Sequence, residues 1–347
     1  MTPLGLLLHM LTYRRPRGSA TEQAFIKQFI APLAPTPDDY GNLHIWIDNP
    51  DGTPSRMLWS CHTDTVHRVD GLQTVRYDPV TGIVELSRKA RKRGSNCLGA
   101  DDTAGVFLCT QMIAAQVPGH YIFHYGEESG GLGSSNLARL SPELLGNAEI
   151  AIALDRRGTS DIITHQFGSR MASQIFALSL ARELMHVDPL LDYAPTQGLY
   201  TDTAEYAGII AECSNLSVGY LYEHQDREIL CTGHTLRLLR ALCAIDTSAL
   251  IVEREPCADD YSMGYADTDY LADAVIDPCF ACNHGREAHE CFSDGECAYC
   301  RCSLFVSQRP ERTIYLDPVQ ADIQDALATA QDDLVRRYTL RASRLEK

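Results

Sequence analysis

Apolar segments with the length and composition of β-strands alternate along this chain with segments of helical periodicity. The strands are predicted at 41–48, 56–61, 120–125, 149–154 and 213–218, and the helices at 22–30, 101–116 and 169–184. Strands that alternate with helices are typical of an α/β fold. The chain has 347 residues, which is long enough for one large domain with an appendage. We place the main domain at 1–250 and an extension at 251–347.

Acidic or imidazole residues stand at or just beyond the ends of several of these strands. They are His62, Asp64, Glu127, Glu128, Asp155 and His224. In open α/β sheets, ligands bind in the crevice beyond the carboxyl ends of the strands. We therefore expect these side chains to meet at one site, although they are far apart in the sequence.

Asp101 is the strongest single candidate for a shared ligand. It lies in the segment NCLGADDTAG (96–105), where small residues flank two adjacent carboxylates just before an apolar helical run. A carboxylate on such a turn keeps both oxygens free, and it can hold two cations at once. The position suggests a bridging ligand.

Several carboxylates in one pocket require positive charge. A pair of carboxylates at about 4 Å repels by roughly 4 kcal/mol at an effective dielectric constant near 20. Cations would remove this repulsion. Imidazole and carboxylate ligands without cysteine suit zinc, cobalt or manganese, and a catalytic site keeps one coordination position open for water.

The ordered series His-x-Asp, Gly-Ala-Asp-Asp, Glu-Glu-Ser-Gly, a later Asp and a final His resembles the co-catalytic dinuclear zinc exopeptidases. This group includes the bacterial leucyl aminopeptidases, tripeptidase-type enzymes and related deacylases. The likeness covers about residues 13–245. It implies a mixed, mostly parallel central sheet flanked by helices, and two zinc ions (or cobalt or manganese) in the active site.

The resemblance also implies a role for each residue. His62 and Asp155 would bind one metal, Glu128 and His224 the other, and Asp101 would bridge the two. Asp64 would accept the distal N–H of His62 and so fix its tautomer. Glu127 would be the general base that takes a proton from water and delivers it to the leaving amine.

Two further structural expectations come from the same family. The peptide bond between Asp101 and Asp102 would be cis. Some members carry a dimerisation domain between the fourth and fifth metal ligands. Asp155 and His224 are only 69 residues apart (224 − 155), so we predict that this chain has no such insert.

The reaction implied is hydrolysis of a terminal peptide bond, in the first place by an aminopeptidase. An N-acyl amino-acid deacylase or a carboxypeptidase with the same metal chemistry is an alternative, and a non-catalytic binding protein on the same fold is another. Against the last, a protein without catalysis would have no need for Glu127 beside a full ligand set.

Other residues near the predicted ligands remain open between two interpretations. Arg156 and Arg157 follow a ligand directly, so they either bind a substrate carboxylate or are solvated. The segment 200–203 either lines the substrate side or caps a helix.

Composition narrows the partners and the compartment. A formal net charge of −16 argues against broad binding to nucleic acid or an anionic membrane, so a peptide or an acylated amino acid fits better. The apolar run at 4–11 is too short to span a bilayer and makes a poor signal peptide. We expect a cytoplasmic protein in which the thirteen cysteines are thiols or metal ligands.

The extension contains a cysteine-rich segment (277–303). Cys279, Cys282, Cys297 and Cys300 form two Cys-x2-Cys pairs, a spacing typical of one structural zinc. Cys291, Cys302, His284 and His289 are alternative ligands. Reduced cysteines without metal are the other interpretation. A charged helix is predicted at 318–345, and the tail could contact a protein partner.

Overall fold

A computed structural model describes residues 1–256 of the chain. In this part the α-helices are α1 (Pro3–Met10), α2 (Ala20–Phe25), α3 (Arg88–Lys92), α4 (Ala100–Ala114), α5 (Leu132–Leu140), α6 (Gln174–Val187) and α7 (Thr232–Leu242). The strands are β1 (Tyr13–Arg14), β2 (Thr36–Pro37), β3 (Leu43–Ile47), β4 (Met57–His62), β5 (Gly71–Leu72), β6 (Val75–Asp78), β7 (Ile83–Leu86), β8 (Gly119–His124), β9 (Ile150–Arg156), β10 (Asp161–Gln166), β11 (Ser169–Arg170), β12 (Ala194–Gly198), β13 (Glu212–Ser217), β14 (Tyr220–Leu221) and β15 (Ile229–Cys231).

Nine of these strands form the central sheet, in the order β11-β10-β13-β9-β4-β8-β3-β2, with β12 on β10. The four middle strands β13, β9, β4 and β8 pair in parallel. Toward both edges most pairs are antiparallel, because short connections such as those between β2 and β3 or between β10 and β11 cannot cross over. The predicted mixed sheet flanked by helices is confirmed, but parallel pairing prevails only in its centre.

The middle strands are buried on both faces. Met57, Trp59 and Cys61 of β4 belong to the larger core, whereas the intervening Leu58 belongs to a second, smaller core. This alternation follows from the two-residue repeat of a strand. Helix α4 packs on β4 and β9 with α1 and α7 behind it, and the 3₁₀ segment Asp202–Tyr206 covers the opposite face together with α5.

Gly105 lets α4 lie close against the sheet. A β-carbon at this position would collide with the backbone oxygen of Leu154 in β9 and with the carboxylate of Asp102. Only glycine fits here, so the small residues around Asp101 serve packing as well as the turn.

The helix predicted at 169–184 begins later than expected. Residues Ser169–Arg170 form strand β11, and α6 starts at Gln174. Ser173 determines this start, because its side chain accepts a hydrogen bond from the backbone N–H of Phe176.

The segment between Asp155 and His224 folds into β10 to β14 and α6, and most of its strands join the central sheet. In these residues, all of which the structure describes, there is no separately folded insert. Two smaller sheets complete the fold, one with the order β14-β15-β7-β6 and one formed by β1 and β5.

The domain continues slightly beyond residue 250. The buried guanidinium of Arg254 donates to the carbonyl oxygens of Ala207, Ile210 and Ala211. Between residues 1 and 256, no helix is long and apolar enough to cross a membrane. The predicted zinc ligands Cys279, Cys282, Cys297 and Cys300 and the helix predicted at 318–345 lie outside the described residues.

Candidate metal centre

The carboxyl ends of β4, β8 and β9 lie side by side and bring the predicted residues together. β4 ends at His62, a 3₁₀ turn that starts at Glu127 follows β8, and Asp155 is the penultimate residue of β9. Asp101 comes from the start of α4, and His224 follows β14 in a left-handed conformation (φ 64°). The peptide bond between Asp101 and Asp102 is cis, as the family resemblance implied.

Asp101 uses one carboxylate oxygen for each of two groups of side chains. Its Oδ1 lies 3.1 Å from Nε2 of His62, which is also 3.5 Å from Oδ1 of Asp155. Its Oδ2 lies 3.2 Å from Nε2 of His224, which is also 3.1 Å from Oε1 of Glu128. The five side chains therefore form two adjacent sets that share one carboxylate.

The spacing of these donor atoms fits divalent metal ions. Zinc binds imidazole nitrogen and carboxylate oxygen at about 2.0–2.2 Å, so neighbouring ligand atoms of a tetrahedral site are about 3.3–3.6 Å apart. The distances within the two sets, 3.1–3.5 Å, are close to this value. His62, Asp101 and Glu128 also form a cluster whose donor atoms all lie within 4.8 Å of one another.

The pKa values of the buried acids also indicate that the site needs positive charge. Burial raises the pKa of Glu127 to about 10 and that of Glu128 to about 7. Burial also opposes ionisation of Asp101, but hydrogen bonds with His224 and His62 hold its pKa well below its usual range. The hydrogen bonds that His224 makes, chiefly with Asp101 and then with Glu128, raise its own pKa to about 11. Without metal ions, protonated imidazoles thus supply the positive charge that bound cations would provide in their place.

Asp64 holds both His62 and Glu127. Nδ1 of His62 is 3.1 Å from the backbone oxygen of Asp64 and 3.5 Å from its carboxylate Oδ1. The nearer acceptor is therefore the carbonyl oxygen and not the predicted carboxylate. Because Nδ1–H faces Asp64, Nε2 is the nitrogen that faces Asp101 and Asp155. The Asp64 carboxylate also accepts the backbone N–H of Glu127 at 3.2 Å.

Glu127 lines one cavity of 140 Å³ together with Asp101, Glu128, Asp155 and His224, whereas the buried His62 is not among its lining residues. Arg156, Arg157 and Tyr200 line the same cavity, so the structure brings these three open candidates to the site as well. Thr201, from the segment left open at 200–203, donates its hydroxyl to Oδ2 of Asp155 at 2.8 Å.

Three residues of the site were missed by sequence reasoning. Tyr220 donates its hydroxyl to Oδ1 of Asp155 at 3.0 Å. Asp102 is fully buried and accepts the backbone N–H groups of His62 and Gly105. Its position next to Asp101 was the only signal in the sequence.

Glu228 is the third missed residue, and it holds the turn before Asp101. Its carboxylate accepts four consecutive backbone N–H groups, those of Leu98, Gly99, Ala100 and Asp101, at 2.7–3.1 Å. The side chain is fully buried. Glu228 thereby fixes the backbone from which the shared carboxylate projects.

A scan against models of protein families found no match, and neither did a search of curated protein sequences. Among solved structures, aminopeptidase PepT from Bacillus cereus is similar, with a TM-score of 0.55 over 70% of this chain and 96% of that chain, at 14% identity. A tripeptidase from Staphylococcus aureus has a TM-score of 0.55 over 72% of this chain and 98% of that chain, also at 14% identity. The chain thus has the fold of these two peptidases, and the resemblance read from its motifs is confirmed at the level of the fold.

Proposed function

We propose that this chain is a metal-dependent exopeptidase that removes the N-terminal amino acid from peptides. The observation that carries the proposal is the Asp101 carboxylate, which offers one oxygen to His62 and Asp155 and the other to His224 and Glu128. Each set would hold one divalent ion, zinc in the first place. The fold that the chain shares with an aminopeptidase and a tripeptidase supports this function.

The metal ions, when bound, would polarise the scissile carbonyl and make water more acidic. Because these cations would also lower the pKa of the neighbouring Glu127, its carboxylate would be ionised and could act as the general base. Its carboxylate lines the cavity beside the ligands, and Asp64 holds its backbone, so it can take the proton from the attacking water and pass it to the leaving amine. Asp64 also keeps the His62 ring in the tautomer that leaves Nε2 free for a metal.

Replacing the base tests the mechanism. Glu127→Gln keeps the shape of the side chain but removes its ability to accept a proton, so kcat for leucine p-nitroanilide should fall about 100- to 10,000-fold. Metal content, measured by plasma mass spectrometry, should not change. The matched control is Glu143→Gln, an exposed glutamate away from the cavity, which should leave kcat unchanged. An unaltered kcat in Glu127→Gln would remove this residue as the base.

Metal stoichiometry tests the shared ligand. We expect the full chain to bind about two ions in the main domain and about one in the cysteine-rich tail. Asp101→Asn should remove the ions of the main domain, whereas Cys279→Ser/Cys282→Ser should remove only the tail ion. If wild-type protein holds a single ion in all, the two-metal proposal is wrong. Bound metal without turnover of any peptide would favour a non-catalytic binding protein.

A cytoplasmic location belongs to the same proposal. The cysteines within residues 1–256 (Cys61, Cys97, Cys109, Cys213, Cys231 and Cys243) are free thiols, as expected in a reducing compartment.

A further inference from the structure

Two consecutive arginines lie at the carboxyl end of β9, beside the cavity of the proposed active site. Arg156 is the last residue of β9, and Arg157 follows it. Both line the cavity together with Glu127 and four of the five proposed metal-binding residues, Asp101, Glu128, Asp155 and His224. Arg156 directly follows the proposed metal ligand Asp155, and both residues line the same cavity.

Each arginine is anchored by one acidic residue and keeps donors to spare. Nε of Arg156 donates to Oδ2 of Asp161 at 3.1 Å, and its terminal nitrogens have no partner within residues 1–256. A terminal nitrogen of Arg157 donates to Oε1 of Glu223 at 3.0 Å. Nε of Arg157 is buried and has no partner in the described part of the chain.

The anchors hold the guanidinium groups in place without using up their hydrogen-bonding capacity. A guanidinium has five N–H donors in a planar fork, and the fork matches a carboxylate. Arginines that served only solubility would extend into water, whereas the side chain of Arg156 is only 17% exposed and that of Arg157 is 39% exposed. Two divalent ions would also outweigh their three carboxylate ligands, so a loaded centre would not repel an anion.

We infer that Arg156 and Arg157 bind a carboxylate of the substrate close to the scissile bond, so that the enzyme prefers substrates with an anionic group there. The predicted preference in turnover rests on the proposed function, whereas the predicted binding of a carboxylate does not. The carboxylate has two possible sources, the free C-terminus of a very short peptide or an acidic side chain.

Matched substrate pairs separate these sources. Ala-Ala and Ala-Ala-amide differ only in the C-terminal carboxylate, and the p-nitroanilides of glutamate and glutamine differ only in the side chain. The pair that presents its carboxylate to the arginines should show kcat/KM about 10- to 100-fold higher for the acid than for its neutral partner, mainly through KM. In Arg156→Gln/Arg157→Gln this preference should disappear, so that the ratio of kcat/KM between the acid and its neutral partner falls to about one.

Two controls show that the arginine forks are responsible. Arg156→Lys keeps the charge but not the fork, and it should lose a large part of the preference. Arg182→Gln removes an exposed arginine on α6 that pairs with the adjacent Glu183, and it should behave like wild type. Wild-type circular dichroism and wild-type metal content show that each variant is folded. Wild-type protein without a preference in either pair, or a preference that survives the double substitution, would overturn the inference.

Binding distinguishes this inference from the proposed reaction. Calorimetric titration of metal-loaded Glu127→Gln with Ala-Ala and Ala-Ala-amide, and with glutamate amide and glutamine amide, needs no turnover. Tighter binding of one acid, lost in the arginine variants, would support the inference even if wild-type protein hydrolysed none of the substrates. Equal binding within both pairs would contradict it even in an active peptidase.

Discussion

At the scale of the residue, Glu228 shows how a buried side chain that does not line the cavity can determine the geometry of a site. Its buried carboxylate accepts the N–H groups of residues 98–101 and so fixes the backbone that carries Asp101. Outer partners of this kind commonly change metal affinity 10- to 100-fold when they are altered.

We therefore expect Glu228→Gln to weaken metal binding about 10- to 100-fold. The amide group turns two of its own donors toward backbone N–H groups, and Asp101 loses its fixed position. Competition with a chromophoric chelator measures the dissociation constants. Glu253→Gln, at an exposed position, is the control and should bind metal like wild type. Wild-type affinity in Glu228→Gln would show that other contacts suffice to hold Asp101.

The proposed metal ligands and the residues that position them differ in how far the sequence reveals them. His62, Asp101 and Glu128 stand in short motifs with a recognisable order, so the sequence alone was enough to name them. Glu228 could not be named in this way, because its partners are backbone groups 127–130 residues away, and N–H groups leave no pattern in a sequence. Tyr220 was also missed, because nothing in the sequence distinguishes the tyrosine whose hydroxyl binds Asp155 from any other tyrosine in a strand.

At the scale of the element, the placement of α4 against β9 depends on the absence of a side chain at Gly105. The helix carries Asp101 and Asp102 at its start, so any displacement of α4 moves the shared carboxylate relative to Asp155 at the end of β9. Packing of one helix and the geometry of the site are thus coupled.

Gly105→Ala should lower the free energy of unfolding by about 1–3 kcal/mol or more, because the new methyl group overlaps backbone that cannot give way. Gly233→Ala is the matched control. Nothing lies within 4 Å of a β-carbon at this position of α7, so the substitution should be neutral or stabilise by up to about 1 kcal/mol. Urea unfolding measures both. Equal stability of the two variants would contradict the close packing of α4.

The predicted elements were mostly right because middle strands such as β4 and β9 are largely continuous apolar segments, which is the pattern of strands buried on both faces. Their order was not predictable. The position of β4 between β8 and β9 depends on long-range pairing that no local segment encodes. The start of α6 was wrong because the side chain of Ser173, and not the hydrophobic repeat, determines where the helix begins.

At the scale of the whole molecule, stability should depend on what neutralises the buried acids. Burial raises the pKa of Asp202 to about 8 and that of Glu127 to about 10, from ordinary values near 4. The folded protein therefore holds protons that the unfolded chain has already released. A raised acid pKa stabilises at low pH, and this stabilisation is lost as the pH rises toward 8.

We expect the free energy of unfolding of metal-free protein to fall between pH 7 and 8, by up to about 1.4 kcal/mol per pH unit for each such proton. Burial lowers the pKa of His67 and of His120 to about 3 and that of His234 to about 4, so these imidazoles are neutral in the folded protein. The unfolded chain still protonates them near pH 6.5, which opposes the fall there, but this contribution is small above pH 7. Urea unfolding in the presence of a chelator provides the measurement. Asp202→Asn, which mimics the protonated acid, should make the free energy of unfolding depend less on pH. A free energy of unfolding that rises with pH in this range would contradict the prediction.

The proposed ligands are spread over 162 positions, from His62 at the end of β4 to His224 after β14 (224 − 62). During synthesis from the N-terminus, a chain that ends before His224 lacks at least one of them. Such a chain would be unable to hold both of the proposed ions, and so would lack the proposed activity near the ribosome.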